Sequence, residues 1–261
     1  MSNRFLRRAG ASIIVQKLAT KAVLEHRLIE EGDRVLVAAS GGKDSTVMAW
    51  ALSTLKRALR INYTFQALHI SSDFCDNCKR HVLAIRFEEW GIPFNDLSVP
   101  IIGRLKQGRK MNCYWCSTQR RTELIKYALE NGFNKIALGH HLDDIIETFF
   151  MNLTGMGTFS AMPMYLAYRK YPLAIIRPLG YLEERQIIAC AAERNFLSAV
   201  CSCPYGINSR RRDIRDRIAA FTRNSGAEKR RILAALLSKG LLREEGAVDE
   251  VPYSGGQMPD R

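Results

Sequence analysis

Short apolar runs alternate along this chain with longer stretches in which apolar residues return every three or four positions. Residues 34–39 (Arg-Val-Leu-Val-Ala-Ala) are apolar after the first and stop at Ser-Gly-Gly, the pattern of a strand buried on both faces of a parallel sheet. The same reading predicts strands over residues 65–70, 94–99, 135–139 and 173–179. It predicts helices over 45–58, 81–90, 117–130, 143–153 and 182–195. In the first of these Val47, Trp50, Ala51 and Leu55 supply the packing face. Strands alternating with helices imply a doubly wound, mainly parallel α/β sheet, with ligands gathered at the carboxyl ends of the strands.

Helical extensions flank that unit at both ends. In residues 11–30, Ile14, Leu18, Leu24 and Leu28 mark an amphipathic helix with a wet basic face. Beyond Cys203 the chain is basic and helical, and Ile214, Ile218 and Phe221 recur at spacings of four and three as an inward stripe. That leaves Arg210, Arg211, Arg215 and Arg217 pointing outward. From Glu244 the composition suits a flexible tail. The expected organisation is a basic N-terminal helical segment (1–30), a central domain (31–204), a basic C-terminal helical segment (205–243) and the tail (244–261).

Composition narrows the class. A chain of 261 residues, 47% hydrophobic and 25% charged, can bury one sizeable core. No apolar run approaches the roughly 20 residues of a membrane span. The basic start, Met1 to Arg8, is not followed by the apolar block of a secretory signal. The expected location is the cytoplasm, with no membrane partner. Lysine plus arginine outnumber acidic residues 39 to 26, a net charge of +13, which favours a polyanion because neutralised phosphates release counterions. The excess is clustered: Arg210, Arg211, Arg212, Arg215, Arg217, Arg223, Lys229, Arg230 and Arg231 face only Asp213, Asp216 and Glu228.

Ser40-Gly41-Gly42-Lys43-Asp44-Ser45 lies between a buried strand and a helix start. Glycines let the backbone approach phosphate oxygens, and the helix offers unpaired N–H groups and its positive dipole end to an anion. Lys43 adds a point charge; Ser40 and Ser45 add hydroxyls. Asp44 beside phosphates makes sense chiefly through Mg²⁺. The four-residue spacer of the Walker loop is missing. The plainer reading is a strand–turn–helix junction turned by Gly-Gly. A second element, Gly139-His140-His141-Leu142-Asp143-Asp144, also closes a strand and opens a helix. Its carboxylates suit nucleotide and Mg²⁺ handling, or simply cap the helix.

Seven cysteines cannot all pair within one chain, and close-spaced cysteines in a cytosolic protein are more often metal-binding or catalytic. Cys75/Cys78 and Cys113/Cys116 have C-x-x-C spacing, Cys201 and Cys203 lie together, and Cys190 stands alone. Cys113-Tyr114-Trp115-Cys116 stands before a helix start and can share one metal or cluster, form a redox pair, or supply half of a zinc site.

The order Ser-Gly-Gly-Lys-Asp-Ser, Cys-x-x-Cys, Gly-His-His-x-Asp-Asp, Ile176-Arg177-Pro178-Leu179 and a late cysteine resembles the TtcA-type tRNA-cytidine 2-sulfurtransferases of the PP-loop ATP pyrophosphatase superfamily. The resemblance runs from about Gly32 to Arg212. It implies an adenine nucleotide alpha hydrolase-like fold and ATP-dependent thiolation of a tRNA base, in which the C2 carbonyl is adenylated and its oxygen replaced by sulfur. Cytidine 32 of the anticodon loop is the implied base, a uridine the alternative. An iron–sulfur RNA-binding or sensing protein with a regulatory nucleotide site is a further reading.

The resemblance also implies a set of ligands. Ser40, Gly41, Gly42, Lys43, Asp44, Ser45, Gly139, His140, Asp143 and Asp144 would bind ATP, with Lys43 and Asp44 catalytic and Asp44 and Asp143 on Mg²⁺. Cys113, Cys116 and Cys203 would hold a 4Fe–4S cluster, with Cys201 as second choice for the third ligand. The implied partners are tRNA, a sulfur donor such as a cysteine desulfurase, and a second copy in a homodimer. The zinc-binding cysteines of the related thiouridine branch, found at both chain ends, have no counterpart here, whereas Cys75 and Cys78 depart from the cytidine pattern.

Overall fold

The computed structural model describes residues 10–58, 61–74, 80–196 and 209–248. In chain order these form α1 (Ala11–Glu25), β1 (Arg34–Ala38), α2 (Lys43–Ala58), β2 (Thr64–Ser72), α3 (Arg80–Glu89), β3 (Phe94–Val99), α4 (Cys113–Glu130), β4 (Lys135–Ala137) and α5 (Leu142–Met156). There follow β5 (Tyr165–Tyr168), β6 (Ala174–Ile176), α6 (Glu184–Glu193), α7 (Ser209–Thr222), α8 (Gly226–Ser238) and β7 (Arg243–Val248). The seven strands make one sheet in the order β3-β2-β1-β4-β6-β5-β7. β3, β2, β1, β4 and β6 run parallel; β5 is antiparallel to β6, and β7 runs parallel to β5. The chain leaves β1 toward β2 and β3, then returns to the other side of β1 with β4. That reversal makes a crevice at the carboxyl ends of β1 and β4.

Alternation along the strands divides the core between the two faces of the sheet. Val35 and Val37 of β1 pack into a cluster with α1, α2, α5 and α6, while Leu36 between them joins a second cluster with Ile125 and Ala128 of α4. Ile136 and Ala137 of β4, and Ile175 and Ile176 of β6, are split the same way. Each fully buried aliphatic side chain contributes about 1.5–3 kcal/mol. The helical extensions share this core: Val15, Ala19, Ile214, Ile218, Leu233 and Leu236 all belong to the larger cluster.

Several expectations are corrected. In α1 the buried stripe is Val15, Ala19, Ala22 and Val23, whereas Leu24 is exposed and Leu28 lies beyond the helix end. Small alanines let α1 approach α2 and α6 closely, so the larger leucines do not define the inner face. α4 begins at Cys113, four residues before the expected start, because the Asn112 side chain caps it by accepting from Trp115 N at 2.8 Å. β6 is shorter than expected and ends before Pro178, which has no N–H to donate. Phe221 is 71% exposed, with its ring 6.2 Å from that of Phe150, rather than packing inward with Ile214 and Ile218. The first residues of the expected flexible tail form β7; residues 249–261 lie outside the described residues.

Candidate active site

The phosphate loop closes β1 and its last residues open α2. Gly41 adopts φ +79°, a left-handed conformation that suits glycine. Ser40 Oγ donates to Ser45 Oγ at 3.0 Å, and Ser45 Oγ and Thr46 Oγ1 donate to the Gly42 carbonyl at 3.1 and 2.9 Å. These bonds fold the loop over the helix start. Gly139, at the end of β4, lies directly against it: a Cβ there would sit 2.9 Å from Ser45 N and 3.0 Å from the Asp44 carbonyl carbon. Glycine at 139 is therefore a packing requirement of the loop.

Lys43 Nζ is 3.2 Å from Asp44 and 2.9 Å from Glu184 Oε1 at the start of α6. Burial pulls the Lys43 ammonium toward the neutral form, but the bonds and charges of Glu184 and Asp44 outweigh it and hold its pKa above the usual value. Asp44 Oδ1 is buried and accepts no hydrogen bond among the described residues, with Lys43 Nζ 3.2 Å away. An anionic oxygen in that state suits a cation, so Asp44 fits a Mg²⁺ ligand.

The second acidic element is arranged differently. Asp144 Oδ2 accepts from His141 N at 3.0 Å and so caps α5. Asp143 Oδ1 accepts from Lys229 Nζ at 2.5 Å, and Asp143 Oδ2 accepts from Glu184 N at 2.7 Å. Burial raises the Asp143 pKa, but these donors overcome it and keep the carboxyl below its ordinary value. Both oxygens of the second expected Mg²⁺ ligand are thus taken by protein donors. His140 Nδ1 accepts from Arg177 Nε at 3.3 Å, and burial together with the Arg177 charge pushes its pKa down to about 3. His140 is a neutral acceptor here. Arg177, itself buried, also donates to the Pro163 carbonyl, and burial with the charge of Arg121 pulls its pKa down to about 10.

Cys113 and Cys116 lie in the first turn of α4, both half-buried, rather than in a loop before it. Their spacing puts them on one face, and Trp115 fixes the turn by donating from Nε1 to the Ile101 carbonyl at 3.1 Å. The charge of Arg121, one turn further on, is felt at both His140 and Arg177, which ties the cysteine helix to the crevice. Cys75, Cys78, Cys201 and Cys203 lie outside the described residues, as does the Arg210 side chain. Among the described residues no group of three metal-ligating side chains comes together.

The expected outward arginines are partly employed elsewhere. Arg215 Nε donates to Glu147 Oε1 at 2.7 Å, Arg211 lies 3.4 Å from Glu147 Oε2, and Glu147 itself is 2% exposed. The pair therefore clamps α7 to α5. Arg217 pairs with Asp213 on its own helix. Arg212, Arg223 and Arg231 remain as exposed cations. Sequence reasoning missed Glu184 and Lys229, since each reads as an ordinary charge near a helix start; only the folded chain brings them to Lys43 and Asp143.

A parallel sheet with a glycine-turned phosphate loop at its switch point defines a PP-loop nucleotide-binding protein, and residues 13–220 match the PP-loop domain family. The chain is 35% identical over 241 residues to the tRNA-cytidine(32) 2-sulfurtransferase of Geobacter metallireducens, spanning 89% of this chain and 93% of that one. It is 37% identical to that of Syntrophotalea carbinolica over 73% of this chain and 74% of that one. The chain belongs to the tRNA-cytidine(32) 2-sulfurtransferase family. Its fold is also that of the U34-tRNA thiolase NcsA from Methanococcus maripaludis, solved with its [4Fe-4S] cluster, at a TM-score of 0.71 and 22% identity over 88% of this chain and 78% of that one. Among the described residues no helix is long and apolar enough to cross a membrane.

Proposed function

We propose that this chain is an ATP-dependent tRNA sulfurtransferase that thiolates C2 of cytidine 32. The observation that carries this reading is that, in a chain of this family, α2 with Lys43 and Asp44 and α4 with Cys113 and Cys116 follow the parallel strands β1 and β3, so both helix starts lie toward the carboxyl edge of one sheet. Lys43 and the N-terminus of α2 orient the ATP phosphates, and Asp44 would hold the Mg²⁺ that supplies positive charge opposite them. The C2 carbonyl oxygen of the base attacks the α-phosphate, releasing pyrophosphate and leaving an adenylate whose departure as AMP is far easier than loss of oxide. Cys113 and Cys116, with Cys203 or Cys201 as third thiolate, would hold a 4Fe–4S cluster, which supplies the sulfur that takes the oxygen's place. Arg177 and Arg121 keep positive charge beside the neutral His140, where the phosphates of the adenylate and the RNA approach.

The exposed Arg212, Arg223 and Arg231 offer phosphate contacts to tRNA, whose single-stranded loop allows one base to be splayed into the crevice. A cysteine desulfurase-type donor, a homodimer and a cytoplasmic setting complete the reading. Nucleoside analysis of tRNA from a strain lacking the gene, complemented with wild type or with Cys113→Ser, Cys116→Ser or Cys203→Ser, tests it. Wild type is expected to restore 2-thiocytidine and each variant to fail, with little iron in the anaerobically purified protein. Restoration of a thiouridine instead would move the reading to the uridine branch.

A further inference from the structure

The residues of the phosphate loop do not stand alone in the folded chain. Lys229 of α8 donates to Asp143 Oδ1 at 2.5 Å, Glu184 N donates to Asp143 Oδ2 at 2.7 Å, and Lys43 Nζ donates to Glu184 Oε1 at 2.9 Å. These bonds form an unbroken chain from the C-terminal helix pair, through the starts of α5 and α6, to the phosphate-loop lysine. Its members are shielded: the side chains of Lys229, Asp143, Glu184 and Lys43 are 17%, 12%, 32% and 29% exposed. Lys229, Asp143 and Glu184 border a cavity of about 370 Å³ that Arg215 of α7 also lines.

We propose that Glu184 and Lys229 are positioning residues for Lys43: Lys229 fixes Asp143, Asp143 fixes the first turn of α6, and Glu184 on that turn sets where the Lys43 ammonium stands. The consequence is that α8, which shares the basic C-terminal segment with the exposed arginines, is coupled to the nucleotide site. A long flexible lysine placed by a fixed carboxylate loses less freedom when phosphate arrives than an unplaced one. Among the described residues the Lys43 ammonium donates to two side chains, its neighbour Asp44 and the more distant Glu184, so Glu184 is the partner that ties it to α6.

The alternative is that Lys229 acts only as a nearby positive charge, helping any anion to bind without regard to Lys43. A double-mutant cycle separates the two, since coupling appears only where one residue acts through another. Equilibrium titration of the full chain with ATP and Mg²⁺, in the absence of tRNA, is made for wild type, Lys229→Gln, Lys43→Ala and the double variant. Lys229→Gln is expected to weaken ATP binding roughly five- to tenfold in the wild-type background and less than about twofold in the Lys43→Ala background. Lys229→Arg, which keeps a donor for Asp143, is expected to stay within about twofold of wild type. Equal losses in the two backgrounds, or no loss in either, overturn the proposal. Should Lys229→Gln not fold, Glu184→Gln enters the same cycle as the middle link: a coupled loss supports positioning, while tighter ATP binding would make Glu184 a competitor for Lys43 and overturn it. Since tRNA is absent, failure here leaves the thiolation reading untouched.

Discussion

Two helix N-termini face each other across the switch point, and they carry the same residue types in different states. At the start of α2, Asp44 keeps one buried carboxylate oxygen without a hydrogen bond, beside a lysine on a flexible stem. At the start of α5, Asp144 caps the helix and both oxygens of Asp143 are already satisfied by Lys229 and Glu184. Acidic residues at a helix start are therefore not by themselves a cation site. What distinguishes a site from a strut is whether protein donors have already used the carboxylate. The comparison can be broken by removing each side chain in turn, because loss of a site and loss of a strut have different signatures.

The largest effect is expected at the open end. Lys43→Ala and Asp44→Asn each remove a charge that meets phosphate or its metal, and should lower thiolation by at least about 10²-fold. Both side chains are about a third exposed and contribute little to the core. Thermal unfolding should accordingly stay near wild type while 2-thiocytidine disappears from tRNA. A variant that lost stability as heavily as activity would move Asp44 to the strut side.

The closed end should behave in the opposite way. Asp143→Asn leaves the Lys229 ammonium, 17% exposed, without its carboxylate. Breaking a largely buried ion pair by removing one partner costs about 3–5 kcal/mol, or roughly 6–20 °C in Tm for a chain of this size. Calorimetry checks this directly. An Asp143→Asn protein that melts like wild type but no longer responds to Mg²⁺ would restore Asp143 as a metal ligand.

Between the two ends lies Gly139, whose missing side chain lets β4 touch the loop. Gly139→Ala would press a methyl group to 2.9 Å from Ser45 N, and backbone cannot rotate aside as a side chain can. A cost of about 1–3 kcal/mol and weakened ATP binding are expected together. ATP titration alongside thermal unfolding reads both; weakened binding at unchanged Tm would show that the loop yields without strain.

This contrast also explains what could be read before folding. The hexapeptide at 40–45 is contiguous, so its residues, its strand and its helix were all visible, and the parallel core strands announce themselves by continuous apolar runs. The Asp143–Lys229 and Lys43–Glu184 pairs join residues far apart in the chain, and neither partner differs in type from a solvated surface charge. β7 escaped for another reason: Arg-Glu-Glu-Gly-Ala-Val carries no apolar alternation, and it is held by main-chain pairing with β5. The outward arginines were misassigned in part because Glu147, the buried partner of Arg211 and Arg215, sits on α5, far upstream.

The smallest effect expected is a pH dependence that comes from the open crevice rather than from its carboxylates. His140 accepts from Arg177 and is surrounded by the charges of Arg177, Arg211 and Arg121, with Asp144 opposing them; burial is the leading cause that pushes its pKa down to about 3. The unfolded chain takes a proton at His140 below about pH 6.5, whereas the folded chain declines it until near pH 3. Stability is therefore present in full above pH 6.5 and falls as the pH drops through that window, by no more than about 1.4 kcal/mol per pH unit from one proton. Burial raises both Asp143 and Glu184, but Lys229 and the Glu184 N–H outweigh it at Asp143, and Lys43 outweighs it at Glu184; both are lowered, so they lose stability only below their unfolded values near 3.8 and 4.5. Measurements between pH 7 and 5 thus report the histidines. His26, whose pKa burial also lowers, contributes in the same sense and sets a background slope. His140→Asn keeps an acceptor for Arg177 but no titrating ring, so its Tm should fall less steeply than wild type across that interval, with the His26 slope remaining. Parallel curves for the two proteins would mean that His140 takes up its proton in the folded state, and the neutral acceptor assigned to the crevice would have to be abandoned.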